Sequence, residues 1–582
     1  MTEAVDHSKR APPMTAREQC RNCLRTFDRQ FCLAILLAAI VVIPRSALIV
    51  RSHSGYYDDQ YHLIRGMRFI ADKLGRKSLE LNDPPLGEAI TALPAWWSGV
   101  RNISGDIIYG QSQLNPETLR LRIAIWKSVL FLPMVAVAFL WLRKLYTVRA
   151  AWMATIALSF EPTLAAHIPT GGVDVLGVEG IVLGCFFGWL YFERPTILRL
   201  LAAGASIAFA LMLKHTAAIL SLVVLMMAAI HLLRDANRAK AALWRSGQVA
   251  LVGVVAFVAL WAIVRFDVSP PVYPAKLAEA RPALDGLLQH RFPAGVYFGS
   301  LATALSHADR GAPGYLFGAY SMHGWWYYFP VVAWFKVPIG LHGLAVIAIA
   351  SLCLLKPKWP EWSLLVPLIA WSVFLMNSGI NIGWRHFLAP YVFLILLACR
   401  VGAVEWRPIR IASWTMIAIA AIHAAIWHPN YLSYFNFPRH KPYLIISDSN
   451  VDWGQSLKQA ARWIDDAKPP FDSAQGRQAG RPIYVLPFAR PESPAIRFYL
   501  EDRATILQLD DPIPTHGILI ISSVWESGAN DGKRRYRFLQ RAEPIDRIGG
   551  GAMQVYDLDR IEVPRSAATT SQPTTPPAGD RN

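Results

Sequence analysis

Two adjacent acids stand at the start of any chemistry this chain could do. Asp58 and Asp59 lie in Gly55-Tyr-Tyr-Asp-Asp-Gln-Tyr-His62, soon after a first apolar run at 31–44. Neighbouring carboxylates point in different directions. One can face a reacting group while the other meets a ligand or caps a helix. The plain alternative is a solvated pair capping a helix that begins near Tyr61, since Asp is a favoured N-cap, and spacing alone favours it. Asp83 follows in Leu81-Asn-Asp-Pro-Pro-Leu86. Pro-Pro stiffens the backbone and stops a helix, which suits either a fixed acid facing the membrane or a turn before a helix at 86–98.

A second set lies within apolar runs: Glu161, His167, Asp174 and Glu179. Ionisable groups at membrane depth are costly and are functional candidates by default. Asp174 follows Thr170-Gly-Gly-Val173. This glycine break puts it at the outer end of a span, where water and a headgroup reach, and helix capping is its structural alternative. The cations are Arg65, Arg68, Lys214, Lys336, Arg385 and His386. A cationic cluster beside acids suits an anionic headgroup such as a lipid phosphate. Taken singly, each basic side chain is explained by snorkelling; as a group they stand on the side opposite most basic residues.

That side is set by the elements. The chain has 582 residues, 53% hydrophobic and only 17% charged, with 21 Trp. Soluble domains carry about 25% charge, so a disordered chain and an ordinary cytosolic enzyme are both excluded. With 6 Cys, a secreted disulfide scaffold is excluded too. Cys20 and Cys23 form a lone CxxC, a weak metal or redox signal without a second pair. What remains is a polytopic membrane protein. Apolar runs at 31–44, 123–142, 150–168, 172–192, 198–213, 216–233, 246–266, 331–355, 362–380, 387–399 and 409–428 predict about 11 transmembrane helices, several near the ~20 residues a span needs.

Net charge is +17, from 58 Lys+Arg against 41 Asp+Glu. No RNA-binding or zinc-finger pattern accompanies it, so nucleic acid is not expected. Arg143, Lys144, Arg149, Arg194, Arg199, Arg234, Arg238, Lys240, Arg245, Lys356, Lys358, Arg400, Arg407 and Arg410 fall in loops that alternate counting places inside. The same count puts 51–122, 267–330 and everything after 428 outside, with Trp325, Trp326, Tyr327 and Tyr328 as an outer aromatic belt. The expected organisation is a basic cytoplasmic N-terminus at 1–30 and a transmembrane domain at 31–430 that includes the external loop 51–122. A small extracytoplasmic α/β domain at 431–562 and a disordered tail at 563–582 complete it. Strand-like runs at 483–486 and 518–521 and a helix-like run at 456–467 support the α/β reading.

The residues then resemble a family. Asp58-Asp-Gln-Tyr-His-Leu-Ile-Arg-Gly66 and Asp83-Pro-Pro-Leu86 look like the "DE…H…G" and "HPPL" signatures of GT-C glycosyltransferases. The match is to the family 39 group, similar to protein O-mannosyltransferases and aminoarabinose transferases. In order follow Glu161-Pro-Thr-Leu-Ala-Ala-His167 with Asp174, Leu211-Met-Leu-Lys214, Gly324-Trp-Trp-Tyr-Tyr-Phe-Pro330 with Lys336-Val-Pro338, and Arg385-His-Phe-Leu388. His428-Pro-Asn-Tyr-Leu-Ser-Tyr-Phe-Asn436 and Asp448-Ser-Asn-Val-Asp-Trp-Gly-Gln455 resemble uncharacterised bacterial members with a C-terminal extracytoplasmic domain. The family's second acid is Glu where Asp59 stands here, and its His before Pro-Pro is Asp83 here. Both departures leave open which acid does which job.

The resemblance implies a GT-C fold in a bacterial inner (plasma) membrane, moving a sugar from a polyprenyl-phosphate donor to an acceptor outside. The acceptor class (protein, lipid or glycan) stays open. A phosphate is already a good leaving group, so one carboxylate suffices to deprotonate the acceptor, unlike the paired acids of glycoside hydrolases. Asp58 is the expected base in an inverting transfer. Asp59 and Asp174 would hold acceptor or donor, Lys214 and Arg385 the carrier phosphate, and Asp83, His62 and His386 would bind substrate. Acids clustered outside leave room for a divalent metal, although relatives need not use one and no His/Cys ligand set stands out. The competing class is a transporter or flippase of lipid-linked sugars. The polar loop 51–122 and the lack of a repeated half argue against it.

Overall fold

The computed structural model describes residues 28–71, 84–101, 107–109, 115–235, 237–271, 286, 289–437, 441–467, 481–489, 493–529 and 534–564. Asp83, Cys20, Cys23 and the tail from 565 lie outside them. The chain is an α-helical polytopic membrane protein with a small C-terminal α/β domain. Each of the eleven apolar runs is mostly helical. Among the described residues eight helices are long and apolar enough to cross a membrane alone, from Arg29–Ser52 to Arg407–Ile426. Val148–Phe160 and Ile197–Leu213 are shorter.

The expected continuous run at 331–355 is instead two helices, Tyr328–Lys336 and Ile339–Cys353, bent by 114°. Pro338 explains the break: it has no N–H to donate, and it drives Val337 into extended backbone at ψ 129. The run at 150–168 breaks for the same reason at Glu161-Pro162. Glu161 is extended, and its carboxylate caps the next helix by accepting from the Leu164 N–H at 2.6 Å.

The helix ends gather in two groups. At one end Asp28 meets Arg143 at 2.9 Å, Thr147 Oγ1 donates to Gly402 at 3.0 Å, Arg234 faces Glu193 and Arg400 faces Glu361. At the other end residues 53–62, the 170–174 turn, Lys214, the 378–386 loop and the 430–455 segment come together.

In the C-terminal domain a five-stranded sheet runs in the order Thr505–Ile506, Ile483–Leu486, Ile518–Ser522, Met553–Asp557, Asp546–Ile548. The first three strands are parallel and the last two antiparallel. Ile518–Ser522 is apolar on both faces because both are covered. Ile520 packs with Leu457, Ile464 and Leu500 on one side, and Leu519 and Ile521 pack with Leu486 and Tyr536 on the other.

The two parts are joined by side chains spent on backbone. Lys336 donates to the carbonyls of Leu432, Tyr434 and Asn450, each at 2.7 Å. It therefore staples the kinked helix to the 431–450 segment, and three carbonyls take up its ammonium. Asp452 is buried at the junction, accepting from Ser522 Oγ at 2.5 Å and the Gly454 N–H at 2.9 Å. Burial pushes its carboxyl up to about 7, against those hydrogen bonds. The folded protein then keeps a proton that the unfolded chain loses near pH ~4, so this contribution is full below that pH and lost as pH rises through about 7. The thermal midpoint of the full chain in detergent is expected to fall between about pH 5 and about pH 8, less steeply in Asp452→Asn. An identical slope in both proteins would remove Asp452 from the account.

Candidate active site

The helix Asp59–Ala71 begins at the paired acids, and its first residue is locked. Asp59 is buried; its Oδ1 accepts from the Gly171 N–H at 2.8 Å and its Oδ2 from the Tyr56 N–H at 3.0 Å. Burial pushes its carboxyl above the usual carboxylate range, opposed by those donors and the Arg120 guanidinium. Gly171 permits the contact: a Cβ there would lie 2.8 Å from the Asp59 Cα and carbonyl oxygen. Asp58 turns the other way. It lines a cavity of about 550 Å³, and its carboxylate makes no hydrogen bond or ion pair with any described residue.

Asp174, Lys214, Arg385, His386 and His62 line that same cavity. Asp174 opens the helix Asp174–Glu193, where the dipole favours an acid. Its Oδ1 pairs with the Lys214 ammonium and its Oδ2 lies 3.3 Å from Arg385. Lys214 sits in extended backbone at the break between Ile197–Leu213 and the next helix, so its side chain leaves the apolar stack there. The absence of a side chain at Gly177 makes room for its stem: a Cβ would meet Lys214 Cβ at 2.8 Å and Cδ at 2.9 Å. Arg385 and His386 ride on a short 3₁₀ turn, Trp384–Phe387, fixed where the Trp384 N–H donates to Asn450 Oδ1 at 2.9 Å. Arg385 Nε and His386 Nε2 are buried with no hydrogen-bond partner among the described residues.

Sequence reasoning did not single out four further residues. Glu88, fully buried, accepts from Arg65 at 2.9 Å and pairs with His62 Nδ1 at 3.0 Å, so it orients two groups on the cavity wall. Arg120 donates to the His53 carbonyl at 2.7 Å beside Asp59. Lys127 donates to the Gly172 carbonyl, next to the turn that carries Asp174. Trp453 lies under Arg385, its ring centroid 3.8 Å from the guanidinium. A signal existed for Lys127, a lone lysine inside an apolar run; the others depend on contacts remote in sequence.

Other candidates stand apart from the cavity wall. Glu161 is a helix cap that also accepts from the Tyr391 hydroxyl at 3.2 Å. His167 packs between Tyr56 and Trp453, each ring 5.9 Å away. Glu179 lies in the field of Lys127, and Arg68 is exposed. Among the described residues no group of three or more His, Cys, Asp or Glu side chains is arranged to hold a metal ion.

The cavity lining combines two chemistries. Asp58, His62, Arg65, Asp174, Lys214, Arg385 and His386 are charged or polar, while Ile219, Leu222, Leu305, Ala308, Phe374 and Leu375 are apolar, with Leu222, Leu305 and Phe374 exposed. An anion suits the first set and a hydrocarbon the second.

Neither a family model nor a curated protein matches the sequence. Solved structures of similar overall course include ArnT from Cupriavidus metallidurans bound to undecaprenyl phosphate, at 14% identity and a TM-score of 0.48, covering 93% of this chain and 99% of that one. The oligosaccharyltransferase of Archaeoglobus fulgidus in the apo form is similar at 14% identity and a TM-score of 0.46, covering 88% of this chain and 71% of that one.

Proposed function

We propose that the chain is an inverting GT-C glycosyltransferase that moves a sugar from a polyprenyl-phosphate donor to an acceptor on the extracytoplasmic face of a bacterial inner membrane. One observation carries this reading: a single cavity joins a carboxylate unpaired among the described residues, two cations and an apolar wall that includes the exposed Leu222, Leu305 and Phe374. The prenyl chain lies along Ile219, Leu222 and Phe374, and the phosphate lies at Lys214 and Arg385. Asp58 accepts the proton of the acceptor hydroxyl as its oxygen attacks the anomeric carbon. The bond from that carbon to the phosphate oxygen breaks, and its electron pair goes to the phosphate. Lys214 and Arg385 stabilise the charge that develops there.

In this reading Asp59 positions Asp58 through the Gly171 turn rather than touching substrate. Asp174 aligns the two cations, and His62, Arg65 and His386 line the space for sugar and acceptor. Asp83, in the same external loop, is kept as a substrate-binding residue on the sequence motif alone.

The test is transfer by the purified full chain in detergent. Polyprenyl-phosphate sugars are supplied with protein, lipid and glycan acceptors, and products are read by mass. A new glycosidic bond, with release of polyprenyl phosphate, is expected. No bond with any pair, together with movement of intact lipid-linked sugar across sealed vesicles, overturns the reading in favour of a flippase.

A further inference from the structure

We infer that Trp453 is a positioning residue through which the C-terminal domain sets the phosphate-binding geometry of Arg385; this rests on the reading of the cavity as a lipid-phosphate site. The Arg385 guanidinium is held on one edge by Asp174 at 3.3 Å and on one face by the Trp453 ring at 3.8 Å. A planar guanidinium stacks on an aromatic face in one orientation, which fixes where its remaining N–H groups point. Its Nε is buried without a hydrogen-bond partner among the described residues.

Trp453 is itself immobilised from both sides of the junction. It is 4% exposed, its backbone N–H donates to Gln455 Oε1 at 2.7 Å, and its ring stacks on Tyr56 at 5.2 Å. The preceding Asp452 is tied to Ser522 at the end of the central strand of the C-terminal sheet. Ser433 Oγ reaches both Val451 and Gly549 carbonyls, at 2.9 and 2.8 Å, adding a second tie to the sheet. Ser54 of the first external loop donates to the Gly454 carbonyl at 3.1 Å. The path from sheet to phosphate is thus Ser522, Asp452, Trp453, Arg385. The segment 448–455 is more than packing at the junction: it carries the platform on which an active-site cation rests.

The experiment measures affinity of the full chain for polyprenyl phosphate, with KM and kcat for transfer alongside. Trp453→Leu is expected to weaken binding about five- to twentyfold, between what an exposed and a desolvated cation–π contact supplies. Trp453→Phe keeps an aromatic face and is expected to recover most of that affinity. Asp452→Ala leaves the ring in place but frees it from the sheet, and is expected to weaken binding about threefold or more. KM rises more than kcat falls in all three. Wild-type affinity in Trp453→Leu overturns the proposal, as does a Trp453→Phe protein no better than Trp453→Leu, which would mark a loss of fold. Wild-type affinity in Asp452→Ala overturns the part assigned to the C-terminal domain. A wild-type chain that neither binds the lipid nor transfers sugar is a different result, because it removes the functional reading itself.

Discussion

Asp58→Asn is expected to lower kcat by about a hundred- to ten-thousandfold, the contribution of a positioned general base, with polyprenyl-phosphate binding unchanged. The two halves of this expectation have separate grounds. Asn keeps the shape of Asp but cannot take a proton, so the attacking hydroxyl stays neutral. Asp58 also pairs with no cation among the described residues, so its loss leaves Lys214, Arg385 and Asp174 as they are. Asp59→Asn differs in kind. It exchanges one of two acceptors for an N–H donor against the Gly171 or Tyr56 amide. That disturbs the turn and lowers thermal stability together with activity. If Asp58→Asn transfers sugar at the wild-type rate, the base lies elsewhere, and the Glu88-oriented His62 becomes the first alternative to examine.

The contrast between these neighbours shows where a sequence stops being readable. The apolar runs state which end of the bundle each polar residue reaches, because span length and loop charge are local properties. That is why Asp58, Asp174, Lys214, Arg385 and His386, far apart in the chain, were expected on one side and do share one cavity. Sequence does not state which way a side chain turns once there. Asp58 and Asp59 are the same residue type at adjacent positions, and only the glycine turn packed on Asp59 decides between them.

Lys336 makes the same point in the other direction. It stood among the outer cations, yet three carbonyls from 432–450 surround its ammonium, and nothing local to Lys336 announces them. Glu88 and Arg120 act through partners remote in the chain, and the Asp448–Gln455 motif that contains Trp453 does not say that its ring meets Arg385. The 114° bend at Pro338 was, by contrast, legible in principle. A proline in an apolar run removes a helix hydrogen bond whatever the surroundings, and hydropathy alone smooths it over.

Lys214→Met carries the other large effect: kcat is expected to fall about a hundred- to a thousandfold, the usual loss when one group that stabilises developing charge is removed. Charge counting gives the prediction a sharper form. Lys214 and Arg385 against Asp174 leave one net positive charge among the three groups in contact at the proposed phosphate position. A sugar linked through phosphate carries one negative charge; the released polyprenyl phosphate carries nearly two. In Lys214→Met the remaining Arg385 and Asp174 cancel, so the site keeps no net attraction for the charge that grows as the bond breaks. At roughly 4 Å and an effective dielectric near 20, a unit charge is worth about 4 kcal/mol, enough for the expected loss after screening. Product lipid should therefore lose more affinity than donor lipid, and Lys214→Arg should restore much of both. Equal loss for the two lipids would mean that Lys214 merely fills space beside Gly177, and the phosphate would have to be placed elsewhere in the cavity.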